Sequence, residues 1–133
     1  MKHFDLQGIE INASPSAVFA FIRDPANLPR WTHAFAAADA GAAQLRTDAG
    51  AVTVGLQTRA DASTGVVDWH LTFPDGTVGT AHSRVVETAR GTSIYSFVLH
   101  APPVALELLE GALAAQSETL RTELLTLKAL LES

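Results

Sequence analysis

From Leu106 to Leu131 the chain carries leucines in helical register: Leu106, Leu109, Leu113, Leu120, Leu124, Leu127 and Leu131. The spacing puts them on one side of a long helix. A stripe of that length must lie along a second, equally long apolar surface. Ala101-Pro102-Pro103 stops the structure before the helix, and most of the chain upstream reads as strand and turn. The covering surface is therefore a sheet, and the fold class is α+β. Gln116 and Ser117 stand where the next leucine should fall. That interruption is either an exposed turn or a stretch packed loosely over a cavity.

The upstream half divides at clear turn signals. A strand is expected over about Lys2–Asn12, with Phe4, Leu6, Ile9 and Ile11 as its apolar positions. Gly8 shifts the alternation and suggests a bulge. Ser14 as N-cap and Pro15 at the first helical position then open a short helix near Ser16–Arg23. A second break at Asp24-Pro25 opens another near Ala26–Arg30. Strands follow at Thr32–Ala38, Ala43–Thr47, Val52–Asp61, Val66–Phe73, Thr77–Thr88 and Thr92–His100. Asp48-Ala49-Gly50, Ala62–Gly65, Pro74-Asp75-Gly76 and Ala89-Arg90-Gly91 are the turns between the later ones. The turn lengths set register: Trp69 opposite Ala81, Asp68 opposite His82, Val85 opposite Tyr95 and Phe97 opposite Ser83. One face then carries Val67, Trp69, Leu71, Phe73, Val85, Tyr95, Phe97 and Leu99, with gaps at Gly79, Ala81 and Ser83. Large residues flanking small ones form a groove, which a helix laid across it tends to close into a pocket. Asp68, His70 and His82 fall on the opposite, solvent-facing side.

Composition narrows the function classes. Hydrophobic residues make up 47% of 133, enough for a packed core in a single domain spanning 1–133. The formal charge of −5 and the lack of any Lys/Arg run argue against a nucleic-acid partner. Cysteine is absent, which removes disulfides, thiolate nucleophiles and Cys-ligated zinc. The opening MKHFDLQ has no apolar leader core, and no run of about 18 apolar residues occurs. No membrane span and a cytoplasmic location are the expectations. Dinucleotide, P-loop, zincin and nucleophile-elbow motifs are missing, so no cofactor and no metal are expected. Tyr95 is the best inward polar group, and His33 and His100 could sit at a cavity mouth. These three are the catalytic candidates. Asp68 opposite His82 is an acid–base or metal pair in principle, but a dimer contact suits that face better.

The order of strand, two short helices, sheet and long helix, together with ASPSAVFAFIRDPANLPRW from Ala13 to Trp31, resembles the START-like or SRPBCC superfamily. That group includes polyketide cyclases and aromatases, lipid-transfer domains and coenzyme Q-binding proteins. The segment Gly65–Thr77 with the following APP looks like an uncharacterised bacterial subgroup. The resemblance implies a helix-grip fold, a seven-stranded antiparallel sheet around the long helix, with a ligand cavity between them and the short helices. Its walls would be Phe19, Ile22, Trp31, Phe35, Trp69, Leu71, Phe73, Tyr95, Phe97, Leu99, Leu109 and Leu113. It supplies no universal catalytic residue. Three functions follow: binding of a small hydrophobic or aromatic ligand, lipid-, polyketide- or quinone-like; a cyclase or dehydratase enzyme; or a homodimeric interaction protein whose cavity has closed. An enzyme needs two convergent titratable groups inside, and only Tyr95 can be placed there from the sequence.

Overall fold

Seven antiparallel strands and one long helix make up most of the chain in the computed structural model, which describes residues 3–47, 50–100 and 106–133. The strands are β1 (Phe4–Ile11), β2 (Phe35–Ala38), β3 (Ala42–Thr47), β4 (Gly50–Asp61), β5 (Val66–Thr72), β6 (Val78–Glu87) and β7 (Ser93–His100). Helices α1 (Pro15–Arg23) and α2 (Leu28–Trp31) follow β1, and α3 (Leu106–Glu132) ends the chain. The sheet order is β1-β7-β6-β5-β4-β3-β2, so successive strands pair from β2 to β7 while β1 closes onto β7. This is the expected helix-grip α+β fold. The expected turn through Asp48 and Ala49, the stop at Ala101-Pro102-Pro103 and the side chains of Leu106 and Leu109 lie outside the described residues.

The entry to α1 forms as its sequence dictates. Ser14 is extended, and its hydroxyl accepts from the Ala17 amide at 3.3 Å, with Pro15 at the first helical position. Asp24 ends α1 and caps a single 3-10 turn, Pro25–Asn27, accepting from the Ala26 amide at 3.0 Å. The second short helix is thereby split. Asn27 Nδ2 donates to Phe21 O and ties that turn back onto α1. Trp31 closes α2 and is buried, as are Val18, Ile22 and Leu28.

The hairpin registers agree with the turn arithmetic. Trp69 pairs with Ala81, Leu71 with Gly79, Asp68 with His82, Val85 with Tyr95 and Ser83 with Phe97. Val67, Trp69, Val85 and Tyr95 are buried together with Leu120, Leu124 and Leu127 of α3. The stripe therefore covers the predicted face.

The bulge expected at Gly8 is absent. β1 pairs with β7 in unbroken register from Phe4–His100 to Ile11–Ser93. Strict alternation then sends Phe4 and Leu6 outward, 53% and 60% exposed, while Gln7 turns toward α3 and donates to Ser117 O at 2.9 Å. The register break lies instead in β2, between Phe35 and Ala37. Two polar clasps hold the far end of α3: Lys128 Nζ donates to Glu10 O at 2.9 Å, and Glu132 accepts from the Asn12 amide at 2.7 Å.

One glycine is demanded by close approach. Gly65 has φ +79°, accepts the Val85 amide at 2.9 Å, and a Cβ there would stand 2.0 Å from Val85 O. Gly65→Ala is expected to cost more than about 3 kcal/mol, since it combines left-handed strain with a backbone clash. Thermal or denaturant unfolding measures this; a loss below about 1 kcal/mol would contradict the packing described.

Candidate functional site

The groove predicted between β5 and β7 is present and only partly filled. β6 contributes Ala81, a small residue between Trp69 and Leu71 on β5 and Phe97 and Leu99 on β7. Trp69 and Phe97 stack at 6.1 Å between ring centroids and form the floor. α2 and the segment after it, Leu28 to Phe35, make one side wall. α3 makes the roof with Ala115, Gln116, Thr119, Leu120 and Glu123. The cavity is open to solvent on one side and measures about 370 Å³, within the range of small-molecule sites. Gln116 lines this cavity and is itself exposed, so the lapse in the leucine stripe lies at the cavity's rim.

Six of the wall residues named from the sequence border this cavity: Trp31, Phe35, Trp69, Leu71, Phe97 and Leu99. The others lie elsewhere. Ile22 and Tyr95 are fully buried behind the wall, and Leu113 is packed farther toward the start of α3. Phe19 borders an outer groove between α1 and the β4–β5 turn. Phe73 lies against Gly79. The side chain of Leu109 is outside the described residues. Alternation along a strand decides which face a residue occupies, but distance from the α2 wall decides whether it meets space or neighbours.

The catalytic candidates separate in the same way. The Tyr95 ring meets Trp31 edge-on at 6.1 Å, and its hydroxyl has no partner within hydrogen-bonding geometry. Ser83 lies close enough to act on that hydroxyl, but it gives its own proton to Val67 O at 2.6 Å. Burial pushes the Tyr95 phenol far up; Ser83 opposes this and the charge of Glu123 adds to it. Tyr95 is thus a core residue and a poor acid at neutral pH. His100 is exposed on the outer sheet face, its ring 5.2 Å from that of His82, which faces Asp68 at 3.3 Å. That face points away from the cavity. Among the described residues no group of three or more His, Asp or Glu could hold a metal ion. His33 does border the cavity, at its α2 side.

Beside His33 stands a group that the sequence reading missed. Glu123 Oε2 accepts the His33 backbone amide at 2.5 Å, tying α3 to the segment after α2. Burial pushes the Glu123 carboxyl above its usual range, while the His33 amide and then the His33 ring pull it back. A signal was available. Position 123 lies three residues after Leu120 and four before Leu127, so a carboxylate interrupts the leucine face itself. An outer cleft of about 320 Å³, lined also by Arg30, Thr122 and Thr126, shares Trp31, Thr32, His33, Thr119 and Glu123 with the cavity.

Among the described residues, four buried side-chain polar atoms lack partners: Trp31 Nε1, Trp69 Nε1, Tyr95 Oη and Thr58 Oγ1. Both indoles border the cavity, but with their N–H groups out of reach of water. They present carbon to it.

The raised Glu123 pKa has a defined consequence for stability. Because the carboxyl binds its proton more tightly in the folded chain, its contribution is fully present below the ordinary carboxylate range. That contribution is lost as pH rises through the raised value. Glu123→Gln keeps an acceptor for the His33 amide and removes the charge. It is expected to raise Tm by a few degrees at about pH 8 and to leave it unchanged near about pH 4. Melting curves at both pH values test this, and a gain of equal size at both would overturn it.

The fold has counterparts among known proteins. No curated protein sequence matches the chain. A START superfamily protein from Mycobacterium smegmatis superposes with a TM-score of 0.72 at 12% identity, over 98% of each chain. The di-domain ARO/CYC BexL from the BE-7585A biosynthetic pathway gives 0.71 at 16%, over 96% of this chain and 46% of that one. The Aha1 dimer from Colwellia psychrerythraea gives 0.63 at 18%, over 98% and 97%. At these identities the likeness is one of fold. Among the described residues no helix is long and apolar enough to cross a membrane. The family model for polyketide cyclase / dehydrase and lipid transport matches residues 6–132, and the chain belongs to that START-like family.

Proposed function

We propose that the protein binds a small hydrophobic or aromatic molecule in the cavity between the sheet and α3. The observation that carries this reading is the cavity itself. Its walls are mainly Leu, Phe, Trp and Ala side chains, and the small Ala81 and the polar Gln116 stand on its lining where larger apolar groups would have filled it. A volume of about 370 Å³ left unfilled in a core otherwise tightly packed forgoes dispersion contacts that a bound apolar body restores. The family description names lipid transport, which agrees with a carrier role. An open cavity also weighs against the reading of a closed interaction module.

A second reading, an enzyme of the cyclase or dehydratase class, rests on one specific observation. Glu123 and His33 put two titratable groups on one stretch of cavity wall, and burial holds the carboxyl nearer neutrality. The family description includes cyclases and dehydrases, and BexL is named as an ARO/CYC. Binding remains the better supported of the two, because it needs only the cavity.

Both tryptophans of the chain border the cavity and serve as internal reporters. The neutral probe N-phenyl-1-naphthylamine is expected to bind saturably, brightening and quenching Trp31 and Trp69 through energy transfer. Ala81→Phe fills the groove and should weaken that binding by about tenfold or more while the protein stays folded. No saturable signal, or equal affinity in Ala81→Phe, would overturn the binding reading. Native mass spectrometry of protein purified from its own host would add the mass of any retained ligand.

A further inference from the structure

The cavity is not uniform. Its floor, formed by Trp69, Leu71, Phe97 and Leu99, offers no polar atom. Its polar groups gather where α2 and its following segment meet α3: Thr32, His33, Thr119 and Glu123, which also line the neighbouring cleft, with Gln116 one helical turn before Thr119. The hydrogen bonds these groups already make decide what they still offer. Thr32 Oγ1 gives its proton to Leu28 O at 2.7 Å, and Thr119 Oγ1 gives its proton to Ala115 O at 3.1 Å. Both hydroxyls are therefore left with lone pairs only. Glu123 accepts the His33 amide through Oε2, and among the described residues nothing engages Oε1. Three oxygens at this end thus seek donors, while the donors it holds, the Gln116 amide and the His33 ring, stand on exposed residues at the rim.

Charge sharpens the same preference. Among the described residues no Lys or Arg borders the cavity, and Arg30 lies only in the neighbouring cleft. His33 is the one basic side chain on the wall, and it is exposed. A ligand carboxylate entering this end would meet Glu123 with no fixed cation to offset the repulsion and desolvation. An alcohol, phenol or amine would instead give its proton to Glu123 Oε1, with Thr119 and Thr32 as further acceptors.

We infer that this end is a donor-selecting subsite, so that the protein takes ligands whose apolar body ends in a hydroxyl or amine and rejects those ending in a carboxylate. The inference rests on the ligand-binding reading above and names its substrate class. Glu123 is the residue that sets the preference, and the tryptophan-floored groove holds the body. Free fatty acids and other anionic lipids fall outside the class; phenols, alicyclic alcohols and amines fall within it.

Three probes of one shape test this at about pH 8, well above the ordinary carboxylate range: 2-methylnaphthalene, 2-naphthol and 2-naphthoate, titrated against tryptophan fluorescence. 2-Naphthol should bind at least as tightly as 2-methylnaphthalene despite its costlier desolvation. 2-Naphthoate should bind about tenfold or more weakly than 2-naphthol. Glu123→Gln should tighten 2-naphthoate about tenfold relative to 2-methylnaphthalene. Equal affinity for 2-naphthol and 2-naphthoate, or an unchanged 2-naphthoate affinity relative to 2-methylnaphthalene in Glu123→Gln, would overturn the donor subsite while leaving the binding function standing. If neither 2-methylnaphthalene nor 2-naphthol binds, the binding reading itself fails and the inference with it. The wild-type comparison decides the matter even if the variant does not fold.

Discussion

The structure depends on one burial problem: an apolar sheet face and a leucine-striped helix can each leave water only against the other. Leu120, Leu124 and Leu127 of α3 share one buried cluster with Val67, Trp69, Val85 and Tyr95, and this cluster is the centre of the core. A straight helix and a twisted sheet fit closely along only part of their length. Where the leucines continue, the fit is tight. Where the stripe lapses at Gln116 and the facing strand offers Ala81, the same geometry leaves a cavity. Core and site are thus two outcomes of a single packing arrangement.

Polar contacts decide how the helix is held over that space. Lys128 and Glu132 fasten its end to β1 and to the chain after it. Nearer the cavity, Glu123 ties it to the His33 amide. The first clasps lie at the surface, where hydrogen bonds mainly fix position. The Glu123 contact is partly buried, so it carries a desolvation cost that its single amide bond only partly offsets. A carboxylate kept in that position suits a site better than a core, and Glu123 borders the cavity. The same residue therefore closes the wall and sets the chemistry of the space behind it.

Much of the fold was legible because its signals are local. Ser14 and Pro15 mark a helix start by capping chemistry, and Pro74-Asp75-Gly76 defines a turn whose length places Trp69 opposite Ala81. The failure at Gly8 is instructive. Four apolar residues around a glycine suggested a bulge that would bring all of them inward, but continuous pairing with β7 left Phe4 and Leu6 outside. The ladder of backbone hydrogen bonds outweighed the hydrophobic pattern of one edge strand. The cavity wall was legible in half of its proposed members for a related reason. Strand parity assigns Tyr95 and Phe97 to the same face, yet Tyr95 is sealed under Trp31 while Phe97 borders open space.

By itself the sequence determined the class of the fold, the pairing of its hairpins and the existence of a groove, because each follows from periodicity, turn chemistry and side-chain size over a few residues. Only the tertiary structure decided which side chains meet the cavity. It put His100 on the outer face and His33 on the wall, and it brought Glu123 across 90 positions of chain to the His33 amide. That juxtaposition depends on how far α3 reaches over α2. The reach is set by the whole helix–sheet contact and by no local stretch of residues.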